Sequence, residues 1–208
     1  MELKDQLKKS LEELRKEKKR KFTQTVDLVI NLHKIEMRKT SLNVLLTLPH
    51  RVKDKKIAGF LETKNKNITT ITPEEFEDYS DKKKLKKMVD EYDFFIAQGS
   101  IMPKVATKFG RFLGPAGKMP SPQLGIVMNA NDKTINDVKE KINNSIKIRP
   151  KEPSIKVAIG KENMKDEDIT ENILTVYNAI TKKLPRGKDN IKNIELKFTM
   201  TKPQKIKV

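Results

Sequence analysis

Hydrophobic residues follow two different periodicities along the first fifty residues. Leucines recur at helical spacing between residues 2 and 18, which predicts an amphipathic helix there. The next apolar positions alternate with polar ones and predict a half-buried strand. They are Phe22, Val26, Leu28, Ile30 and Leu32. Thr25 and Asp27 then lie on its opposite face, and the same alternation over residues 42–48 predicts a second strand.

The middle of the chain alternates short apolar strands with amphipathic helices. The strands are predicted at 57–62 and 93–97, and the helices at 82–92, 103–112 and 134–144. Thr72 is expected to cap a further helix, with Pro73 and acidic residues in its first turn. This order is typical of a layered α/β structure.

Beyond Pro153 the alternation of the first strand returns. It predicts strands at 155–159 and 194–200, separated by a helix that starts near Asp166 and stops at Pro185. The two chain ends therefore form one α+β unit, and the middle is inserted into it.

The predicted domain boundaries follow from this insertion. Residues 1–62 with 154–208 form the discontinuous domain, and residues 63–153 form the inserted one. The two chain crossings are expected near 61–66 and 149–154.

Charge indicates the class of partner. The 208 residues include 45 Lys and Arg against 28 Asp and Glu, for a net charge of +17, and each third of the chain is net positive. A field of this sign favours polyanions, of which nucleic acid is the commonest in cells. No apolar run approaches the roughly 20 residues of a membrane span. With no cysteine and no sign of a secretory signal, a soluble intracellular protein is expected.

Catalytic and metal-binding chemistry finds little support. The Gly-rich segment 109–120 lacks the spacing of a phosphate-binding Walker loop, because Phe112 stands where Gly is needed and Met119 where a hydroxyl is needed. His33 and His50 have no partners at ligand spacing, and acidic groups such as 74–78 are more typical of solvated helix faces. We therefore predict no catalytic residue, no metal and no cofactor. A nucleotide-handling enzyme and a basic DNA-compacting protein remain as alternatives.

Two strand segments combine residue types that suit RNA. Residues 21–25 and 197–202 each mix lysine, hydroxyl and large apolar side chains. Lysine can contact phosphate, a hydroxyl can contact a 2′-OH or a base edge, and an exposed apolar group can stack on a base. The competing interpretation is that Phe22, Phe198 and Met200 are ordinary core residues.

One long string resembles a known family. Phe112-Leu113-Gly114-Pro115-Ala116-Gly117-Lys118-Met119-Pro120 is similar to a motif of the universal large-subunit ribosomal protein L-one family in its archaeal form. Residues 21–26, 48–50 and Thr199-Met200 match further family positions. The resemblance implies an α/β fold with an α+β outer domain built from both chain ends, an inserted Rossmann-like three-layer α/β domain, and a hinge at the crossings.

The resemblance also implies a function and partners. The family builds the mobile stalk of the large subunit near the tRNA exit site, binds rRNA, assists release of deacylated tRNA, and represses translation by binding its own mRNA. The chain is thus expected on the cytoplasmic ribosome, without a cofactor, and as a monomer when free.

Carried over by motif, the RNA-binding positions are Lys21, Phe22, Thr25, Asp27, Lys161, Thr199, Met200 and Thr201. The family's motif loop, a separate feature, comprises Gly114, Pro115, Gly117, Lys118 and Pro120. Thr201 departs from the family, which has Gly there. We expect its branched side chain to crowd a place where the backbone is approached closely.

Overall fold

The computed structural model describes residues 3–18, 20–36, 42–150 and 152–206, and it divides into two compact units. The discontinuous unit comprises residues 1–53 and 144–208, and the inserted unit comprises residues 54–143. In chain order the helices and strands are α1 Leu3–Lys16, β1 Thr25–Leu32, β2 Val44–Thr47, β3 Ile57–Phe60, β4 Thr69–Ile71, α2 Lys82–Glu91, β5 Phe94–Gln98, α3 Met102–Leu113, β6 Ile126–Val127, α4 Asp132–Asn144, β7 Ser145–Ile148, β8 Ser154–Lys161, α5 Asp166–Lys183, β9 Ile191–Phe198 and β10 Gln204–Ile206.

A four-stranded antiparallel sheet organises the discontinuous unit, in the order β10-β9-β1-β8. The even-numbered residues of β1 are buried and the odd-numbered ones are half-buried, as the alternation predicts. The leucines of α1 and the apolar stripe of α5 share one core cluster with these inward residues. Polar side chains such as Thr25 and Asp27 are left on the other face of the sheet.

The second predicted strand does not join this sheet. β2 pairs with β7 in a separate two-stranded antiparallel sheet, with Thr47 opposite Ser145. β7 itself was not expected, since it follows α4 without an intervening turn.

The inserted unit is a three-layer α/β structure. Its parallel sheet has the order β4-β3-β5-β6. One face packs against α2 and α3 through an aromatic cluster in which the Phe60 ring lies 5.7 Å from that of Phe95 and 4.9 Å from that of Phe109. The other face packs against α4 through Ile135 and Ile142. The α/β fold class is therefore confirmed.

The helix expected to begin at Thr72 is a 3₁₀ helix over Glu74–Ser80. The expected Thr72 cap is not found: Pro73 stands at the cap position and no side chain caps the helix, although the Glu75 carboxylate accepts a hydrogen bond from the Thr72 N–H at 3.1 Å. A separate cap then begins α2, because the side chain of Asp81 accepts from the Lys83 N–H at 3.0 Å.

The unit boundaries differ from those expected at 62–63 and 153–154. The structure places the crossings at 53–54 and 143–144. β3 belongs to the inserted unit because it pairs with β4 and β5, and β7 belongs to the discontinuous unit because it pairs with β2. Lys151, inside the second expected crossing, lies outside the described residues.

Candidate nucleic-acid interface

One end of the four-stranded sheet gathers most of the residues expected to bind RNA. Here β1 begins while β8 and β9 end, with Thr25 opposite Lys161 and Val26 opposite Phe198. The chain reaches this end through residues 21–24 and leaves β9 through a turn at 199–201. We call this the strand-end surface and define it by Lys21, Phe22, Thr25, Lys161, Thr199 and Met200.

The apolar side chains of the strand-end surface are exposed. Phe22 is 51% exposed and Met200 is 56% exposed, whereas Phe198 is 1% exposed and belongs to the core. The competing core interpretation therefore holds for Phe198 and fails for Phe22 and Met200. The reason is that β1 starts only at Thr25 and β9 stops at Phe198, so that both exposed residues lie beyond the strands.

Two hydrogen bonds tie the 199–201 turn to the start of β1. The Thr25 N–H donates to the Thr199 hydroxyl oxygen at 3.0 Å, and the Met200 N–H donates to the side-chain carbonyl of Gln24 at 3.1 Å. Gln24 is only 2% exposed. Our sequence reasoning missed it, although a signal exists: residue 24 has the even parity of the buried positions and is polar.

The loop after Lys161 is fixed to both β1 and α1. Glu162 donates its N–H to the Gln24 carbonyl at 2.8 Å, and its carboxylate accepts from the Gln24 N–H at 3.2 Å. The guanidinium of Arg15 donates to the carbonyls of Glu162 and Met164, each at 2.8 Å, and to the Asp166 carboxylate. The end of β8 is therefore held in place next to the start of β1.

Asp27 lies two residues after Thr25 on β1, on the same face of the sheet. It is half-buried and stands opposite Lys197 on β9. Burial raises the pKa of the Asp27 carboxyl above its ordinary value of 3.8, while the positive charge of Lys197 acts in the opposite direction. At neutral pH this carboxylate can accept a hydrogen bond from a 2′-OH or an amino group, but not from a phosphate.

Asp27 also makes a testable contribution to the pH dependence of stability. Because the folded-state pKa is raised, the folded protein binds this proton more readily than the unfolded chain, and stability decreases as the pH rises through that range. We expect Asp27→Asn to unfold at higher urea concentration than the wild type at pH 7. The gain should shrink on acidification and vanish well below pH 3.8, where both side chains are neutral. Urea titrations of both proteins across this range are the measurement, and a gain independent of pH would contradict the assignment.

Comparison with known proteins adds the decisive observation. The profile of the Ribosomal protein L1p/L10e family matches residues 14–202. The chain belongs to this family. It is similar to the large ribosomal subunit protein uL1 of Nanoarchaeum equitans, with 38% identity covering 94% of this chain and 95% of the relative. The uL1 proteins of Pyrobaculum calidifontis and Methanocaldococcus jannaschii are each 37% identical, covering 97% and 91% of this chain and 92% and 89% of the relatives.

Family membership establishes which general type of protein this is. The uL1 proteins are structural components of the large subunit of cytoplasmic ribosomes and not enzymes. Among the described residues, no helix is long and apolar enough to cross a membrane. Nor does the described part of the chain group three acidic or histidine side chains that could hold a metal ion.

The family's Gly- and Pro-rich motif shapes the inserted unit. The ammonium of Lys118 donates to the carbonyls of Val89 and Tyr92, at 2.6 and 2.8 Å, and so closes the C-terminal end of α2. Gly117 has φ of 69°, a conformation that favours glycine, and a Cβ on Gly114 would meet the Gly110 carbonyl at 2.7 Å. Pro120 is buried and Pro115 is exposed. These contacts give the motif a structural role.

The Leu48-Pro49-His50 match is likewise held by a buried group. The side chain of Asn172 on α5 accepts from the His50 N–H at 3.1 Å and donates to the His50 carbonyl at 3.0 Å. It also donates to the Ile159 carbonyl at 2.9 Å and is fully buried. One amide therefore connects this segment, α5 and β8.

Within the chain, Thr201 is accommodated without backbone strain, while crowding against an approaching RNA stays a prediction. Among the described residues Lys34 is the only non-glycine with positive φ, so Thr201 avoids the left-handed region. Its hydroxyl oxygen accepts from the Phe198 N–H at 2.9 Å, and its own N–H donates to the Phe198 carbonyl at 3.2 Å. The branched side chain closes the turn, and Met200 remains exposed.

Proposed function

We propose that the protein binds large-subunit rRNA through its strand-end surface. The observation that carries the proposal is the pair Phe22 and Met200, two large apolar side chains that are half-exposed beside lysines in a strongly basic chain. Bases that are unstacked in RNA loops and bulges offer apolar faces to such groups. Lys21 and Lys161 are exposed at the same sheet end and suit the flanking phosphates.

Thr199 supplies a hydroxyl with a defined direction. Its oxygen already accepts the Thr25 N–H at 3.0 Å, while the Thr25 carbonyl is 3.5 Å away, at the limit of a hydrogen bond. The hydroxyl donates only this long bond to the Thr25 carbonyl, which a nearer acceptor on RNA, such as a phosphate or 2′-oxygen, can replace. Asp27 complements it as an acceptor for a 2′-OH or a base amino group.

The finer roles that we propose are supported by the resemblance of the sequence to the family. The rRNA-bound protein forms the mobile stalk near the tRNA exit site and assists release of deacylated tRNA. It also represses translation by binding its own mRNA, and it is a monomer when free. If the mRNA uses the strand-end surface, it will compete with rRNA for the same protein molecule.

Competition binding tests the main proposal. A labelled rRNA stem-loop from the stalk region is bound by the full chain at fixed salt, and unlabelled duplex DNA is added in large excess. We expect most of the RNA complex to persist, because specific contacts add to the charge attraction that any polyanion shares. If duplex DNA displaces the stem-loop as well as unlabelled stem-loop does, the protein is a general polyanion binder and the proposal fails.

Removing the inserted unit tests where binding resides. β2 and β7 are antiparallel neighbours with Thr47 opposite Ser145, so a short Gly/Ser linker can replace residues 54–143. We expect the shortened protein to fold and to keep specific stem-loop binding, since the strand-end surface lies wholly in the discontinuous unit. A shortened protein with native-like circular dichroism and no specific binding would move the interface to the inserted unit.

A further inference from the structure

Gln24 occupies an unusual position for its residue type. It is 2% exposed and precedes Thr25, the first residue of β1. A buried amide carries a desolvation cost unless its polar atoms are paired, and an apolar side chain of similar size would avoid that cost. The contacts of the amide therefore indicate its role.

The side-chain and main-chain contacts of Gln24 together join three strand ends. The side-chain carbonyl of Gln24 accepts the Met200 N–H at 3.1 Å, which connects β1 to the turn after β9. The main chain of Gln24 exchanges two hydrogen bonds with Glu162, which connects β1 to the end of β8. Arg15 in turn holds the Glu162 carbonyl from α1.

The Gln24 side chain acts on Met200, whereas Phe22 is linked only to the main chain of residue 24. The Met200 peptide plane is fixed by the Gln24 side chain, and the direction in which the Met200 side chain leaves the turn follows from that plane. Phe22 lies two residues before Gln24, whose main chain is held by Glu162. Without the side-chain bond, the turn would keep only the contacts made by Thr199 and Thr201.

We propose that Gln24 is a positioning residue for RNA recognition, which touches no RNA itself and holds Met200 in its binding direction. This inference rests on the proposed function. It predicts that removing the acceptor oxygen weakens RNA binding through Met200 alone. A purely structural role would predict lower stability and unchanged affinity of the folded protein.

A double-mutant cycle separates these roles. Gln24→Met keeps the length of the side chain and removes the acceptor, so we expect roughly tenfold weaker stem-loop binding, the scale of one lost hydrogen bond. In a Met200→Ala background the same substitution should change affinity by less than about twofold, because the group it positions is gone. The Met200 amide should also lose hydrogen-exchange protection in Gln24→Met.

Two further variants complete the experiment. Asn190 is a buried amide at the far end of β9, bound to the carbonyls of His33 and Lys34, and Asn190→Leu should lower stability while leaving affinity unchanged. Gln24→Glu keeps an oxygen acceptor and should retain Met200 amide protection, which keeps the test valid if Gln24→Met folds poorly. Loss of Met200 amide protection in Gln24→Glu would count against the proposal.

Two outcomes overturn the inference. Wild-type affinity in folded Gln24→Met shows that the bond does not position Met200, and an equal loss in both backgrounds shows that the effect does not pass through it. If the wild type does not bind the stem-loop specifically, the proposed function is wrong, and the role of Gln24 is lost with it. If it binds and Met200→Ala weakens it while Gln24→Met does not, only the role of Gln24 is lost.

Discussion

Replacing Phe22 and Met200 together by alanine should weaken binding to the rRNA stem-loop by about 100-fold, or roughly 3 kcal/mol. Each side chain offers an apolar face on which a base or ribose can pack, and such contacts contribute about 1–3 kcal/mol per base. The salt dependence of binding should hardly change, because neither substitution removes a charge.

The folded protein should tolerate this double change. Phe22 and Met200 are 51% and 56% exposed, so we expect the free energy of unfolding to fall by less than about 1 kcal/mol. Met128→Ala is the matched control, since Met128 is 82% exposed but lies in the inserted unit. It should bind like the wild type. A double variant that binds normally, or a control that loses as much affinity, would show that the strand-end surface is not the site.

Asn172→Leu should cause the largest loss of stability, about 3 kcal/mol in the free energy of unfolding. The substitution is close in size, but it leaves three main-chain groups without their partner, the buried Ile159 carbonyl and the part-buried N–H and carbonyl of His50. Each such group costs about 1–3 kcal/mol when it is desolvated and unpaired, and water entry recovers part of that.

Urea unfolding of Asn172→Leu is best compared with Asn178→Leu. Asn178 is an exposed position of the same helix, where a similar change should alter stability by less than about 0.5 kcal/mol. If the two variants unfold alike, the buried amide is not what holds the 48–50 segment.

Periodicity predicts the elements of the discontinuous unit well. Alternation located β1, β8 and β9, and the leucine spacing located α1, because each buries one side against a single core. The layered α/β character of the inserted unit was likewise indicated by its order of strands and helices. In both cases the pattern is local and spans at least one full element.

Pairing partners and boundaries could not be predicted in the same way. β6 has two residues and β4 has three, which is too short for a period to show. β7 follows α4 directly, and its partner β2 is about a hundred residues away in the chain. Since the unit boundary depends on which strands pair, and pairing is not visible in the local pattern, both crossings were predicted about ten residues away from where the structure has them.

The candidate site was likewise predictable only in part. Residue types and the family motif indicated Phe22 and Met200, but their exposure depends on where two strands end, and alternation alone extends β1 to Phe22. Gln24 was recognisable only as a polar residue on the buried parity. Thr201 was expected to crowd the backbone, and only the Phe198 N–H shows that its hydroxyl has a partner.

Methionine methyl spectroscopy tests the central claim most directly. The chain has eight methionines, and among the described residues Met200 and Met128 are the strongly exposed ones, in different units. Met200 is assigned in ¹³C-methyl spectra by its loss in Met200→Ala, and the stem-loop is then titrated into wild-type protein at fixed salt. We predict that the Met200 methyl signal shifts or broadens in proportion to bound RNA while that of Met128 stays in place. A Met128 signal that responds while Met200 remains unchanged would contradict the account.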